Sequence, residues 1–98
     1  MSTSQISIVC LFKAKEGKKQ IVRDELMQLA ALTRKEKGNI NYDLHVSNED
    51  DGLFILYENW KDQAALDGHM NQPYLKSFLD KTGELLEPPV DIKLCTKI

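Results

Sequence analysis

INYDLHVSNEDDGLFILYENW, residues 40–60, is the segment on which the fold of this chain turns. Its first eight residues alternate. Ile40, Tyr42, Leu44 and Val46 share one face of an extended chain, and Asn41, Asp43, His45 and Ser47 share the other. Asn48-Glu49-Asp50-Asp51-Gly52 is polar and ends in glycine, the signature of a hairpin connection. Residues 53–60 then return as a strand, with Leu53, Ile55 and Tyr57 opposing Phe54, Leu56, Glu58 and Trp60. That returning strand is apolar on both sides, so both faces call for cover.

Working upstream, residues 5–13, QISIVCLFK, read as another strand with apolar side chains on both faces. A charged turn with Gly17 follows. From Lys18 to about Lys37 the period changes. Val22, Leu26, Leu29, Ala30 and Thr33 recur at three- and four-residue steps and give one apolar helical stripe. Gly38-Asn39 is the expected helix stop, because both residues tolerate a left-handed backbone. Downstream, Asp62 is placed to cap a short helix from Gln63 to about Met70. Pro73 suits the first turn of a second helix, which Pro88-Pro89 ends. Val90, Ile92, Leu94 and Thr96 then alternate with Asp91, Lys93, Cys95 and Lys97 as a fourth strand.

The order β-α-β-β-α-β predicts an α+β, ferredoxin-like domain spanning residues 1–98: a four-stranded antiparallel sheet with helices on one face. The other face has no helix left to cover it, although two strands carry apolar side chains there. A second copy of the chain is the simplest cover, and a homodimer packed sheet to sheet is expected.

Composition narrows the function. With 98 residues and 42% hydrophobic content the chain is one globular domain. A net charge of -2 and the absence of a basic stripe argue against nucleic acid as the main partner. No apolar run approaches the ~20 residues that cross a bilayer, and the opening MSTSQIS lacks the regions of a secretory signal. A cytoplasmic location without membrane attachment is expected. Cys10 and Cys95 read as buried reduced thiols rather than a disulfide. No CxxC, HExxH or glycine-rich phosphate loop is present, so no metal or nucleotide site is expected.

Four segments carry a family resemblance that covers nearly the whole chain. Phe12-Lys13-Ala14-Lys15-Glu16-Gly17 resembles a first strand running into a charged turn. Gly38-Asn39-Ile40-Asn41-Tyr42-Asp43 resembles an "E-x-G-x-x-x-Y" lead-in to the second strand. Phe54 to Trp60 resembles an "F-x-x-x-E-x-W/Y" third strand, and Ala64 to His69 an "A-x-x-x-H" helix. Together they resemble the antibiotic biosynthesis monooxygenase superfamily of small dimeric ferredoxin-like proteins, also described as dimeric α/β barrels. The resemblance implies a homodimer and, in its quinol-oxidising branch, oxygenation of a small phenolic substrate by dioxygen with no metal, flavin or other cofactor. Haem-degrading members would carry an axial His further along the second helical segment. Residues 70–98 contain no His.

The residues themselves offer a matching chemistry. Residues 54–78 bring the chain's only Trp and one of its two His to one edge of the predicted sheet. An ordinary His titrates near ~6.5 and exchanges protons at neutral pH. His69 is the expected base; its alternative is to cap its own helix by bonding a loop carbonyl. Asn59 is the second catalytic candidate, as a donor to a developing oxyanion. It alternates to the opposite side from Trp60, so the two share a pocket only if the strand twists or bulges. Trp60 offers a flat wall, or equally a core residue at the dimer boundary. Tyr42, Tyr57, Tyr74 and Phe78 complete the substrate-binding set, with Tyr42 and Tyr57 assigned to the helix-covered face. Glu58 is read first as a carboxylate paired with a cation across the sheet or the subunit boundary, and second as a base whose pKa burial raises. His45 is read as a surface or interface residue, and neither Cys as a nucleophile.

Three functions follow as expectations. The first is a cofactor-independent monooxygenase taking a small quinol or electron-rich aromatic and dioxygen. The second is an isomerase of a small dicarbonyl or phosphorylated sugar-like compound, which calls for a cation near the pocket; Arg23, Arg34 and above all Lys76 are the candidates. The third is a non-catalytic dimer that binds a small hydrophobic ligand.

Overall fold

The computed structural model describes residues 5–98. Four strands, β1 (Ile6–Lys13), β2 (Asn39–Val46), β3 (Leu53–Trp60) and β4 (Asp91–Cys95), form one antiparallel sheet in the order β2-β3-β1-β4. Three helices, α1 (Lys19–Thr33), α2 (Gln63–Met70) and α3 (Pro73–Leu85), complete the chain. The α+β, ferredoxin-like prediction is met. No helix of the described residues is long and apolar enough to cross a membrane.

Register decides which side chains can meet. Ile8 pairs with Glu58, Cys10 with Leu56 and Phe12 with Phe54, while Tyr42 pairs with Glu58 from the other side. All of these lie on the helix-covered face with Trp60, and all are buried. Val22, Leu26, Leu29, Ala30 and Thr33, the predicted stripe of α1, are the buried residues of that helix and pack down on this layer. Val9, Leu11, Ile55 and Tyr57 point the other way; Tyr57 is 43% exposed. Tyr57 therefore leaves the helix-covered face assigned to it from sequence. Strict alternation along β3 puts it opposite Leu56 and Glu58.

Three local expectations are revised. Helix α1 stops at Thr33 rather than near Lys37, and Arg34 to Gly38 form a turn before β2. Gly38 does not use a left-handed backbone; among the described residues only Gly17 does, at φ 78°. Gly38 is instead a point of close approach. A Cβ there would sit 2.2 Å from the Cβ of Ala65 and 3.3 Å from its Cα. Cys95 is exposed, and only Cys10 is a buried thiol; both are free. Asp62 does cap α2, accepting a hydrogen bond from the Ala65 amide at 2.8 Å.

The Gly38 contact fixes the first turn of α2 against the turn that precedes β2. Gly38→Ala is expected to lower stability by about 1–3 kcal/mol, the usual range for overpacking. Ala65→Gly in the same chain should restore much of it. Denaturant unfolding of the two single variants and the double variant measures that coupling.

Candidate active site

The turn released by the early end of α1 carries Glu36, and this residue organises the site. Its Oε2 accepts a hydrogen bond from His69 Nδ1 of α2 at 2.7 Å and from the Tyr74 hydroxyl of α3 at 2.5 Å. The His69 and Glu36 side chains are only 4% and 10% exposed. One carboxylate oxygen thus ties together the α1–β2 turn, α2 and α3. Burial, followed by the neighbouring carboxylate, pushes the Tyr74 phenol well above its ordinary range, so it stays a donor.

The tie also sets the chemistry of the imidazole. With Nδ1–H donated to a carboxylate, neutral His69 keeps its lone pair on Nε2. The ring is clamped by aromatic neighbours. Trp60 lies against it at a centroid distance of 4.6 Å and 31° between planes, and Tyr42 meets it edge-on at 5.9 Å. Trp60 is completely buried. Its indole N–H donates to Glu58 Oε1 at 2.7 Å.

His69 forms part of the wall of a cavity of about 400 Å3 between the sheet and helices α2 and α3. Tyr42, Leu56 and Glu58 belong to its sheet side, and Leu75 and Phe78 to its helix side. Phe78 is braced edge-on by Phe12 at 6.0 Å. The volume suits a small ligand. No Lys or Arg lines it among the described residues. Lys76 is exposed on α3, and Arg23 and Arg34 flank a separate groove between α1 and β2. The cation that a phosphorylated substrate would need is missing from this wall.

The sequence-named residues separate into three groups. His69, Tyr42 and Phe78 line the cavity. Trp60 and Tyr74 stand behind it, holding His69 and Glu36. Asn59 and Tyr57 lie on the opposite sheet face. Asn59 is buried there in a polar cluster, accepting from Gln5 and Ser7 and donating to Asn41 Oδ1 at 2.9 Å. No twist carries it round to Trp60, so it does not meet the cavity that His69 lines. His45 bonds the Ile55 carbonyl on that same far face. Glu58 pairs with an indole rather than with a cation. Glu36 was missed. Its signal was the first position of "E-x-G-x-x-x-Y", which Glu36, Gly38 and Tyr42 satisfy.

The sequence profile described as antibiotic biosynthesis monooxygenase matches residues 5–81. This chain belongs to that family. A Bacillus subtilis (strain 168) protein named "Putative monooxygenase YcnE" is 32% identical over 87 residues, which is 89% of this chain and 92% of the relative. The Mycobacterium tuberculosis protein named "Putative monooxygenase Rv0793" is 31% identical over 90 residues, 92% of this chain and 88% of the relative. Among solved structures, PA3566 from Pseudomonas aeruginosa superposes with a TM-score of 0.91 at 30% identity, covering 100% of this chain and 98% of the other. As an antibiotic biosynthesis monooxygenase family member, the chain keeps the fold end to end.

Proposed function

We propose that this protein is a monooxygenase that oxidises a small, uncharged hydroquinone with dioxygen, working as a homodimer through the open sheet face. The observation that carries this reading is the Glu36–His69 pair set in the wall of an apolar cavity without Lys or Arg. Such a wall accepts a neutral aromatic ring and offers a base to its hydroxyl. It gives no counter-charge to a phosphate, which counts against the isomerase alternative.

The chemistry runs on the substrate's own electrons. His69 Nε2 takes the proton of one ring hydroxyl, and Glu36 stabilises the resulting imidazolium. The electron-rich anion passes one electron to dioxygen, giving a semiquinone and superoxide. Their recombination forms a C–O bond at a ring carbon. Loss of the C–H proton then expels hydroxide as the O–O bond breaks, and the imidazolium returns its proton to make water. Hydroquinone plus dioxygen becomes hydroxyquinone plus water, and the atoms balance. Tyr42 and Phe78 hold the ring. Tyr74 holds Glu36.

The test is dissolved-oxygen consumption by metal-free protein with a panel of small hydroquinones. Uptake of one dioxygen per ring, above autoxidation and with hydroxyquinone as product, is the expected result. Binding of the panel without uptake would leave a ligand-binding protein and sink the oxygenase reading.

A further inference from the structure

Glu58 has no part in the steps above, yet it is a carboxyl 4% exposed in the same cavity wall. Its surroundings come from every element packed on it. Cys10 faces it from β1, with Sγ 3.9 Å from Oε2. Tyr42 pairs with it from β2. Trp60 Nε1–H holds Oε1. His69 of α2 and Glu36 of the α1–β2 turn are the titratable groups nearest it, and they act on it in opposite directions. An ionised carboxylate in such a place needs several strong donors or a fixed cation. It has one strong donor, the indole N–H, and no Lys or Arg lines the cavity among the described residues.

We propose that Glu58 binds the ligand as a neutral acid, donating the hydrogen on Oε2 to a ligand oxygen. The cavity then holds a matched pair: a donor on β3 and an acceptor, His69 Nε2, on α2. Such a pair selects an uncharged ring that carries one oxygen to accept a hydrogen bond and one hydroxyl to give a proton. Quinols and their quinone products fit that description, and carboxylates and phosphates do not. Burial is the main cause that pushes the Glu58 carboxyl above its ordinary range, and the indole hydrogen bond opposes it only in part. This inference rests on the function proposed above only for the identity of the ligand.

Trp60 is the chain's single Trp, so indole emission, excited at wavelengths where Tyr does not absorb, has one source, and Glu58 touches its nitrogen. Ionising Glu58 places a charge beside the indole and shifts the emission. In ligand-free protein the shift should show a midpoint well above the ~4.3 of an ordinary Glu. It should survive in His69→Gln and vanish in Glu58→Gln. Difference infrared spectra of the wild-type protein should show a protonated carboxyl band lost over the same pH interval, a readout that requires no variant to fold. The ligand arm uses 4-methoxyphenol, which has the hydroxyl and the acceptor oxygen but is not a quinol. Its affinity should fall as pH rises through the emission midpoint. It should be largely kept by Glu58→Gln, whose amide still donates, and drop about three- to tenfold in Glu58→Leu, the worth of one hydrogen bond. A midpoint at the ordinary carboxylate value, or equal affinity in Glu58→Leu, overturns the proposal. Failure of every hydroquinone to consume oxygen, with the titration as described, overturns the oxygenase reading and leaves Glu58 as a neutral donor.

Discussion

Replacing His69 by Ala is expected to cut hydroquinone-dependent oxygen uptake by about 10²–10⁴-fold, the usual share of a positioned proton acceptor. The protein should still fold, since the sheet and α1 do not depend on the ring. The oxygenase reading ascribes the loss to kcat rather than to KM. Glu36→Gln separates orientation from mere presence of the imidazole. The amide no longer stabilises an imidazolium, yet its oxygen can still accept from Nδ1–H and from Tyr74. A smaller rate loss is expected, because the imidazolium formed during turnover has lost its partner carboxylate. Single-turnover rates of wild type, Glu36→Gln and His69→Ala read this directly. If His69→Ala changes neither the rate nor the binding of ligand, the site drawn around it is wrong.

Trp60→Ala should be the most damaging single change to stability, at about 3–5 kcal/mol. The ring is completely buried at the end of β3, so truncation opens a void that few neighbours can fill. It also removes two supports at once: the plate behind His69 and the N–H that satisfies Glu58 Oε1. Domains of this size are stable by about 5–15 kcal/mol in all, so the loss takes a large fraction. Thermal or urea unfolding measures it. Trp60→Phe keeps most of the packing and should recover much of the stability, while leaving the Glu58 oxygen without its donor. The Phe variant therefore divides packing from hydrogen bonding. A Trp60→Ala protein that unfolds with the wild-type midpoint would show the ring to be more loosely held than its burial indicates.

Alternation and helical spacing carried the architecture because they follow from burial alone. The stripe of α1, the cap at Asp62, the start of α3 at Pro73 and the two faces of β2 from Asn41 onward match, while Ile40 falls at a break in register and is exposed. Tyr57 was misplaced because both faces of β3 are apolar, so the pattern alone does not say which one the helices cover. Register supplies the answer, through the pairing of Leu56 with Cys10 and of Glu58 with Ile8. Glu36 escaped for a different reason. It sits where a helical period runs on, and only the early end of α1 turns its side chain inward toward two residues more than thirty positions away. A single sequence records such a contact only as one letter in a sparse pattern. His69 and Phe78 were legible because an aromatic and an imidazole on short amphipathic helices have few places to go but inward.

The cavity also separates two layers of unequal firmness. Its floor is hydrogen-bonded sheet, with β1 paired on both sides. Its opposite wall is α3, which packs on α1 and faces β4 across open space rather than through interdigitated side chains. Leu79, Ile92 and Leu94, at that open margin, are each more than two-fifths exposed. Ring size is therefore expected to be a softer criterion along the open β4 margin than beside His69, where one carboxylate ties the α1–β2 turn, α2 and α3 together.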